Sequence, residues 1–301
     1  MARGPDREPW WCAGLRWSAA GPALVWRHPR HGERLSPLPP GRELAFTTGD
    51  RRRCVGVRRG GRHTPCPAGA EVPEAAVSAQ CAACARLDRS HSVAADTMAD
   101  DPRPYDVYLA WFGPGLVKVG ITAAEREGVR LLEQAALTYA LLGRGPLMAA
   151  RRAEAVLGAA LAVPDRFPYA AKRAARCPLP PQERRTAELA ALHERARDLA
   201  GLPESLEVQS FAPVHHDTVF HLERIRPEYG VVELAAGCTV AGRVAAVAGP
   251  DVYVETTDAG LVLVDARRLA GRPLLAAAPD ARTTAPIRPA EPSPPPPEPL
   301  F

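Results

Sequence analysis

The chain has 301 residues, which exceeds one average domain, so we expect two or three compact units joined by linkers. Hydrophobic residues make up 46% and charged residues 24% of the sequence, and this composition excludes a chain that is disordered throughout. The net charge of +4 permits a polyanionic partner without requiring one. The sequence lacks the run of ~20 apolar residues that a membrane-spanning helix needs, so we expect a cytoplasmic protein that does not enter a membrane.

The first predicted element is a short antiparallel sheet within residues 8–50. Apolar and polar residues alternate there around turn signals, in runs at 15–17, 23–26 and 44–46. Such alternation is typical of strands that bury one face.

Four of the seven cysteines lie close together in residues 51–92, at Cys54, Cys66, Cys81 and Cys84, and we call this set the cysteine cluster. The last two form a Cys-x2-Cys pair, which brings two thiolates to one ion from a tight turn, and two further cysteines complete the tetrahedron that Zn²⁺ prefers. Cytoplasmic thiols stay reduced, which favours metal ligation over disulfides. The segment is poor in core residues, so a structural zinc would have to hold it, with an apparent binding energy of ~10 kcal/mol or more.

Two alternatives remain open at the cysteine cluster. The first two cysteines are spaced more loosely than in a standard zinc finger, and His63 or His91 could replace one ligand. The cysteines could also be unligated and partly buried. A catalytic zinc is not expected, because four thiolates leave no open coordination position.

A helix is predicted to begin near Ser78, and residues 93–104 are predicted to be a linker.

The most informative segment follows this linker, at residues 105–178. Residues 105–112 and 116–122 then form two strands joined by a Gly-Pro-Gly turn, which predicts a β-hairpin.

Two helices are predicted after the hairpin, at 126–142 and at 147–162. In the second helix Leu147, Ala150, Glu154 and Leu157 recur at spacings of three and four, so Glu154 is expected on the apolar face. A carboxylate there needs a cation or several hydrogen-bond donors, because burying it alone is very costly.

The order of these residues resembles the GIY-YIG endonuclease-like superfamily. Residues 106–108 stand where the family has its first triplet, Lys118-Val119-Gly120 stand where it has its second, and Arg130 and Glu154 follow in the family's order. The resemblance implies that Tyr108 positions or deprotonates a water nucleophile, that Arg130 stabilises the phosphate and that Glu154 holds one divalent ion, Mg²⁺ or Mn²⁺.

The sequence departs from the family pattern at two positions. Lys118 stands where the nucleases have tyrosine, and Gln134 replaces a histidine that is common in the following helix. Lys118 would bind phosphate as a point charge, and the sequence Lys-Val-Gly-Ile-Thr resembles a divergent, phage-type branch of the superfamily. The chain as a whole also resembles an uncharacterised bacterial protein family with no assigned activity.

The C-terminal part divides into three predicted regions. Residues 179–229 are expected to be a helical connector, with a solvated arginine-rich helix at 182–200 and then a β-prone stretch that holds His221 and the His215–His216 pair. The pair is expected to be ordinary surface or loop histidines, and binding of a metal or an anion is the alternative. Residues 231–274 carry short β runs that predict a small antiparallel module. The proline-rich residues 275–301 predict a disordered tail.

The sequence therefore predicts an α+β, zinc-stabilised protein whose partner is DNA or RNA. If it hydrolyses phosphodiesters, the predicted catalytic residues are Tyr108, Lys118, Arg130 and Glu154. The alternatives are a catalytically inactive nucleic-acid-binding module and a protein-binding scaffold that uses the proline-rich tail. The sequence makes no prediction of the oligomeric state.

Overall fold

The computed structural model describes residues 9–59, 62–89, 101–164 and 166–290. In chain order the strands of these residues are β1 (Trp11–Ser18), β2 (Gly21–His28), β3 (Gly32–Pro37), β4 (Glu43–Thr48), β5 (Val57–Arg59), β6 (Arg62–Thr64), β7 (Pro104–Trp111), β8 (Val117–Ala123), β9 (Thr138–Pro146), β10 (Glu207–Val208), β11 (Pro213–His215), β12 (Gly230–Val232), β13 (Thr239–Ala248), β14 (Asp251–Thr256), β15 (Gly260–Asp265), β16 (Leu274–Ala276) and β17 (Ile287–Pro289). The helices are α1 (Ala82–Arg89), α2 (Val129–Glu133), α3 (Leu147–Leu161), α4 (Tyr169–Ala174), α5 (Gln182–Arg197), α6 (Asp217–Phe220) and α7 (Ala266–Leu269). The predicted α+β class is confirmed.

The chain divides into two compact units. The first contains the described residues up to 89 together with 220–290, and the second contains residues 101–219. The predicted organisation is therefore wrong in two respects. The N-terminal β region and the C-terminal β module form one unit, and the predicted helical connector is divided, with residues 179–219 in the central unit and 220–229 in the first.

The first unit is built on a seven-stranded sheet of order β16-β4-β13-β14-β15-β12-β17. Its pairs are antiparallel except for β12 and β15. Strand β4 lies between β16 and β13, so one of the three predicted N-terminal strands joins the C-terminal sheet. The others form a separate antiparallel sheet with β3, of order β1-β2-β3. The indole of Trp17 on β1 donates a hydrogen bond of 2.8 Å to the carbonyl of Gly249, beyond the end of β13.

The predicted disorder of residues 275–301 is wrong for the part that the structure describes. Residues 287–289 form the edge strand β17, which pairs with β12 through Ile287 and Val232. An edge strand tolerates proline because one side of its backbone needs no ladder partner, so proline-rich composition alone did not exclude a strand. Residues 291–301 lie outside the described residues.

The second unit is built on a five-stranded sheet of order β10-β9-β7-β8, in which β11 also pairs with β9. The predicted hairpin is confirmed, since β7 and β8 pair antiparallel with Tyr108 opposite Gly120 and Ala110 opposite Lys118. The helix predicted at 147–162 is also confirmed as α3, which packs on β7, β8 and β9.

The helix predicted at 126–142 is wrong. The helix α2 has five residues, and the chain then turns at Ala135 with a φ of 60° and continues as β9. The apolar residues from Leu131 to Leu142 fit a helical face by spacing, but a short apolar run fits a strand buried in a sheet equally well. Pairing with β7 on one side and with β10 and β11 on the other decides for the strand.

Helix α5 ends three residues earlier than predicted and is not a solvated connector. Its side chains Arg185, Leu189, His193 and Ala196 are buried, and the helix packs on β9 and β7. Helix α1 begins at Ala82 rather than near Ser78. Among the described residues, no helix has both the length and the apolar character needed to cross a lipid bilayer.

Candidate functional sites

The cysteine cluster forms where the β5–β6 hairpin meets the start of α1. The Sγ atoms of Cys54, Cys66, Cys81 and Cys84 all lie within 4.8 Å of one another, and those of Cys66 and Cys81 are 3.9 Å apart. A tetrahedron with Zn–S bonds of ~2.3 Å places its sulfurs ~3.8 Å apart, so a small contraction would fit the four thiolates to one ion. The group can hold a metal ion such as zinc.

Backbone geometry prepares this site. Gly56 has a φ of 74°, and a Cβ atom there would approach the Cys66 nitrogen to 2.9 Å, so only glycine fits the turn. This turn lets the backbone N–H of Gly56 donate to the Cys54 sulfur at 3.4 Å, and the N–H of Cys81 donates to the same sulfur at 3.2 Å. The side chain of Gln80 ties the two halves of the cluster together by donating to the Gly56 carbonyl at 2.9 Å.

The thiols differ in their ability to ionise. The backbone N–H of Cys84 lowers the pKa of Cys81 to about 7, whereas burial raises the pKa of Cys54 and of Cys84. Metal ligation requires thiolates. A metal ion would therefore have to displace protons from the buried cysteines, and its binding should be strongly pH-dependent.

The two histidine alternatives have different outcomes. His63 Nε2 lies 2.7 Å from the carbonyl oxygen of Val55, and His63 does not belong to the group of candidate ligands. His91 lies outside the described residues. Within the described parts of the chain, the four cysteines are the sole group of three or more metal-ligating side chains.

A buried arginine fastens the cysteine-rich segment to the rest of the first unit. The guanidinium of Arg52 donates to the carbonyl of Arg267 in α7 at 3.0 Å and to that of Ala270, which follows α7, at 2.9 Å. It also donates to the carbonyls of Pro73 and Ala76 in the segment itself. One side chain thus satisfies four backbone acceptors and fastens the segment to the rest of the unit.

The second site surrounds Tyr108 on the central strand β7. The ring is 2% exposed and lies over Gly120 of β8, where a Cβ atom would come within 2.5 Å of Tyr108 Cζ. The hydroxyl accepts a hydrogen bond of 3.0 Å from Gln134 Nε2. Glycine at position 120 is therefore required to make room for the Tyr108 ring.

Charged side chains from β8, α2, α3 and the segment just before α2 act on this ring. Lys118 Nζ of β8 is 5.7 Å from the ring centroid. Burial raises the pKa of Tyr108, the positive charges of Arg130 and Arg126 lower it, and the negative charge of Glu154 raises it. The predicted residues Tyr108, Lys118, Arg130 and Glu154 are thus brought near one another, and together with Arg126 we call them the Tyr108 cluster.

Sequence analysis missed two supporting residues. Lys172 is buried on α4, where its Nζ donates to the Gln134 carbonyl at 3.2 Å and lies 3.8 Å from the Phe112 ring centroid. Glu133 accepts from Arg126 at 2.6 Å and from Arg130 at 3.3 Å, which holds both arginines in place. One signal in the sequence pointed to Lys172. The chain has only two lysines, and both Lys118 and Lys172 lie at this second site.

Comparison with curated proteins and with solved structures found no match. One protein family matches residues 41–272, which is well over half of the chain and includes the cysteine cluster and the Tyr108 cluster. The chain therefore belongs to the family described as Protein of unknown function (DUF2797).

Proposed function

We propose that the protein is zinc-stabilised and binds DNA or RNA through the Tyr108 cluster. The observation that carries this proposal is the grouping of Lys118, Arg126 and Arg130 around one buried tyrosine. These three cations outnumber the two carboxylates of Glu133 and Glu154, so the net charge of these side chains is positive. Lysine and arginine are the side chains that bind phosphate. The GIY-YIG resemblance supports the same partner.

Binding without cleavage is the first candidate because of the state of Tyr108. A residue that deprotonates water must touch that water, whereas the Tyr108 ring is 2% exposed. Burial also raises its pKa, so the hydroxyl stays protonated at neutral pH. In this role Tyr108 is a support for the cations around it rather than a base.

Hydrolysis assisted by Mg²⁺ or Mn²⁺ is the second candidate. It is favoured by the place of Glu154, a half-buried carboxylate whose charge acts on the Tyr108 hydroxyl alongside that of Arg130. A single divalent ion on Glu154, with water completing its coordination, would stabilise charge on a phosphate bound by Arg130.

The binding test compares two arginine variants that each lose one charge. Arg130→Met removes a cation of the Tyr108 cluster, and Arg243→Met removes an exposed arginine that pairs with Glu43 in the first unit. Fluorescence anisotropy with labelled single-stranded DNA, duplex DNA and RNA should show weaker binding for Arg130→Met alone. Equal affinity of both variants and wild type would refute the assignment of the site.

The cleavage test uses the same nucleic acids with Mg²⁺ or Mn²⁺. Cutting by wild type that is abolished in Glu154→Gln would establish the second candidate, because this change keeps the shape and removes the charge. Salt-sensitive binding without any cutting would establish the first. Neither binding nor cutting would refute both and leave the protein-binding scaffold.

A further inference from the structure

A cavity of about 530 Å³ opens in the first unit beside the cysteine cluster. Much of its wall is apolar and comes from Trp11, Cys12, Ala13, Pro29 and Pro65. Cavities that bind small molecules span ~300–1,000 Å³ and combine an apolar lining with a few polar groups. This cavity has the size and the lining of such a site.

The polar group that distinguishes the cavity is Arg27 on β2. Its side chain lines the cavity and is 17% exposed. Nη2 pairs with Glu33 at 2.9 Å, but Nε and Nη1 are buried without a hydrogen-bond partner in the part of the chain that the structure describes. Buried donors of a charged group are expensive to leave unpaired, so this guanidinium is incompletely compensated.

Glu33 does not supply a full counter-charge for Arg27. Glu33 is shared with Arg16 at 2.7 Å and with Arg58 at 3.3 Å, so one carboxylate faces three guanidiniums. Arg53, which also lines the cavity, stacks on Trp11 at 4.7 Å and adds a further cation. Burial lowers the pKa of Arg27 to about 10, and it therefore stays charged at neutral pH.

We propose that this cavity binds a small organic anion with a ring-sized apolar body. The carboxylate or phosphate group of the ligand would lie on the cavity side of Arg27, where its charge offsets the excess positive charge of Arg27 and Arg53. The apolar body would pack on Trp11 and Pro65, next to the Arg53 guanidinium that stacks on the Trp11 ring. This site is separate from the Tyr108 cluster and does not depend on nucleic-acid binding.

Calorimetric titration of the full-length protein with three matched probes tests the proposal directly. The probes are 2-naphthoate, 2-naphthyl phosphate and the neutral 2-naphthalenemethanol. We expect either or both anions to bind more tightly than the alcohol by on the order of tenfold or more, as for a hydrogen bond to a charged group. The two anions distinguish a carboxylate ligand from a phosphate ligand. Equal binding of all three probes, or no binding of any, would overturn the proposal. This titration uses only the wild-type protein, so its outcome does not depend on whether a variant folds.

Two arginine variants locate the site. Arg27→Met removes the guanidinium that lines the cavity, whereas Arg58→Met removes an arginine that shares the contact with Glu33 but does not line the cavity. We expect Arg27→Met to lose the tenfold preference for the anions and Arg58→Met to keep it. Zinc content, measured on each variant, shows whether the neighbouring cysteine cluster is intact. Equal loss of the preference in both variants with zinc retained would place the anion elsewhere and refute the site.

Discussion

Replacing Gly120 with alanine tests the packing at the Tyr108 cluster. The added Cβ atom would lie 2.5 Å from Tyr108 Cζ and closer still to the hydroxyl oxygen. The buried ring cannot move away without losing its hydrogen bond from Gln134. Overpacking costs ~1–3 kcal/mol and a lost hydrogen bond ~0.5–1.5 kcal/mol, so we expect Gly120→Ala to lower the free energy of unfolding by roughly 2–4 kcal/mol.

Urea unfolding followed by circular dichroism measures this change, with Gly158→Ala as the matched control. The control Cβ in α3 would lie 3.6 Å from the Val163 carbonyl, an ordinary contact, and alanine favours a helix over glycine by up to ~1 kcal/mol. Gly158→Ala should therefore leave stability unchanged or raise it.

A double-mutant cycle identifies the source of the effect. In a Tyr108→Phe background the hydroxyl no longer meets the new methyl group, so Gly120→Ala should cost less than it does in wild type. Wild-type stability of Gly120→Ala would refute the close packing of Tyr108 on Gly120, and the same cost in both backgrounds would assign the clash to the ring rather than to the hydroxyl.

Three further predictions concern the cysteine cluster, its anchor and acid stability. Purified protein should contain about one zinc per chain, and Cys84→Ser should lose it whereas Cys238→Ser, outside the cysteine cluster, should keep it by elemental analysis. Arg52→Met leaves backbone acceptors unpaired and should lower the free energy of unfolding by ~2–4 kcal/mol, whereas the neighbouring Arg51→Met should change it by less than ~0.5 kcal/mol by urea unfolding. Burial lowers the pKa of His216, so below the unfolded-state pKa of ~6.5 the unfolded chain binds more protons and stability falls as the pH decreases towards the lowered value. His216→Gln should flatten this part of the stability–pH curve, and an unchanged curve would contradict the assignment.

The features that the sequence predicted correctly are those determined by residues close together in the chain. The β7–β8 hairpin follows from two β-prone runs around a Gly-Pro-Gly turn, and α3 follows from its apolar spacing. The cysteine cluster follows from a Cys-x2-Cys pair with two further cysteines nearby. In each case neighbouring residues carry the information, because turns and ligand pairs form over a few positions.

Long-range pairing could not be predicted from the single sequence. Strand β4 pairs with β13 through Phe46 and Val240, which are far apart in the chain, and this contact merges two predicted regions into one unit. The strand β9 was mistaken for a helix because its apolar residues fit both periodicities until its neighbours in the sheet are known. The contact of Lys172 with Gln134 likewise depends on the tertiary fold.

The salt dependence of nucleic-acid binding tests the central claim most directly. Each phosphate contact contributes ~0.9 to the slope of log K against log salt concentration for duplex DNA. If Lys118 and Arg130 each bind one phosphate, the double variant Lys118→Met/Arg130→Met should bind more weakly, with a slope smaller in magnitude by about 2. An affinity and a slope equal to those of wild type, or no binding by wild type even at low salt, would contradict phosphate binding by the Tyr108 cluster.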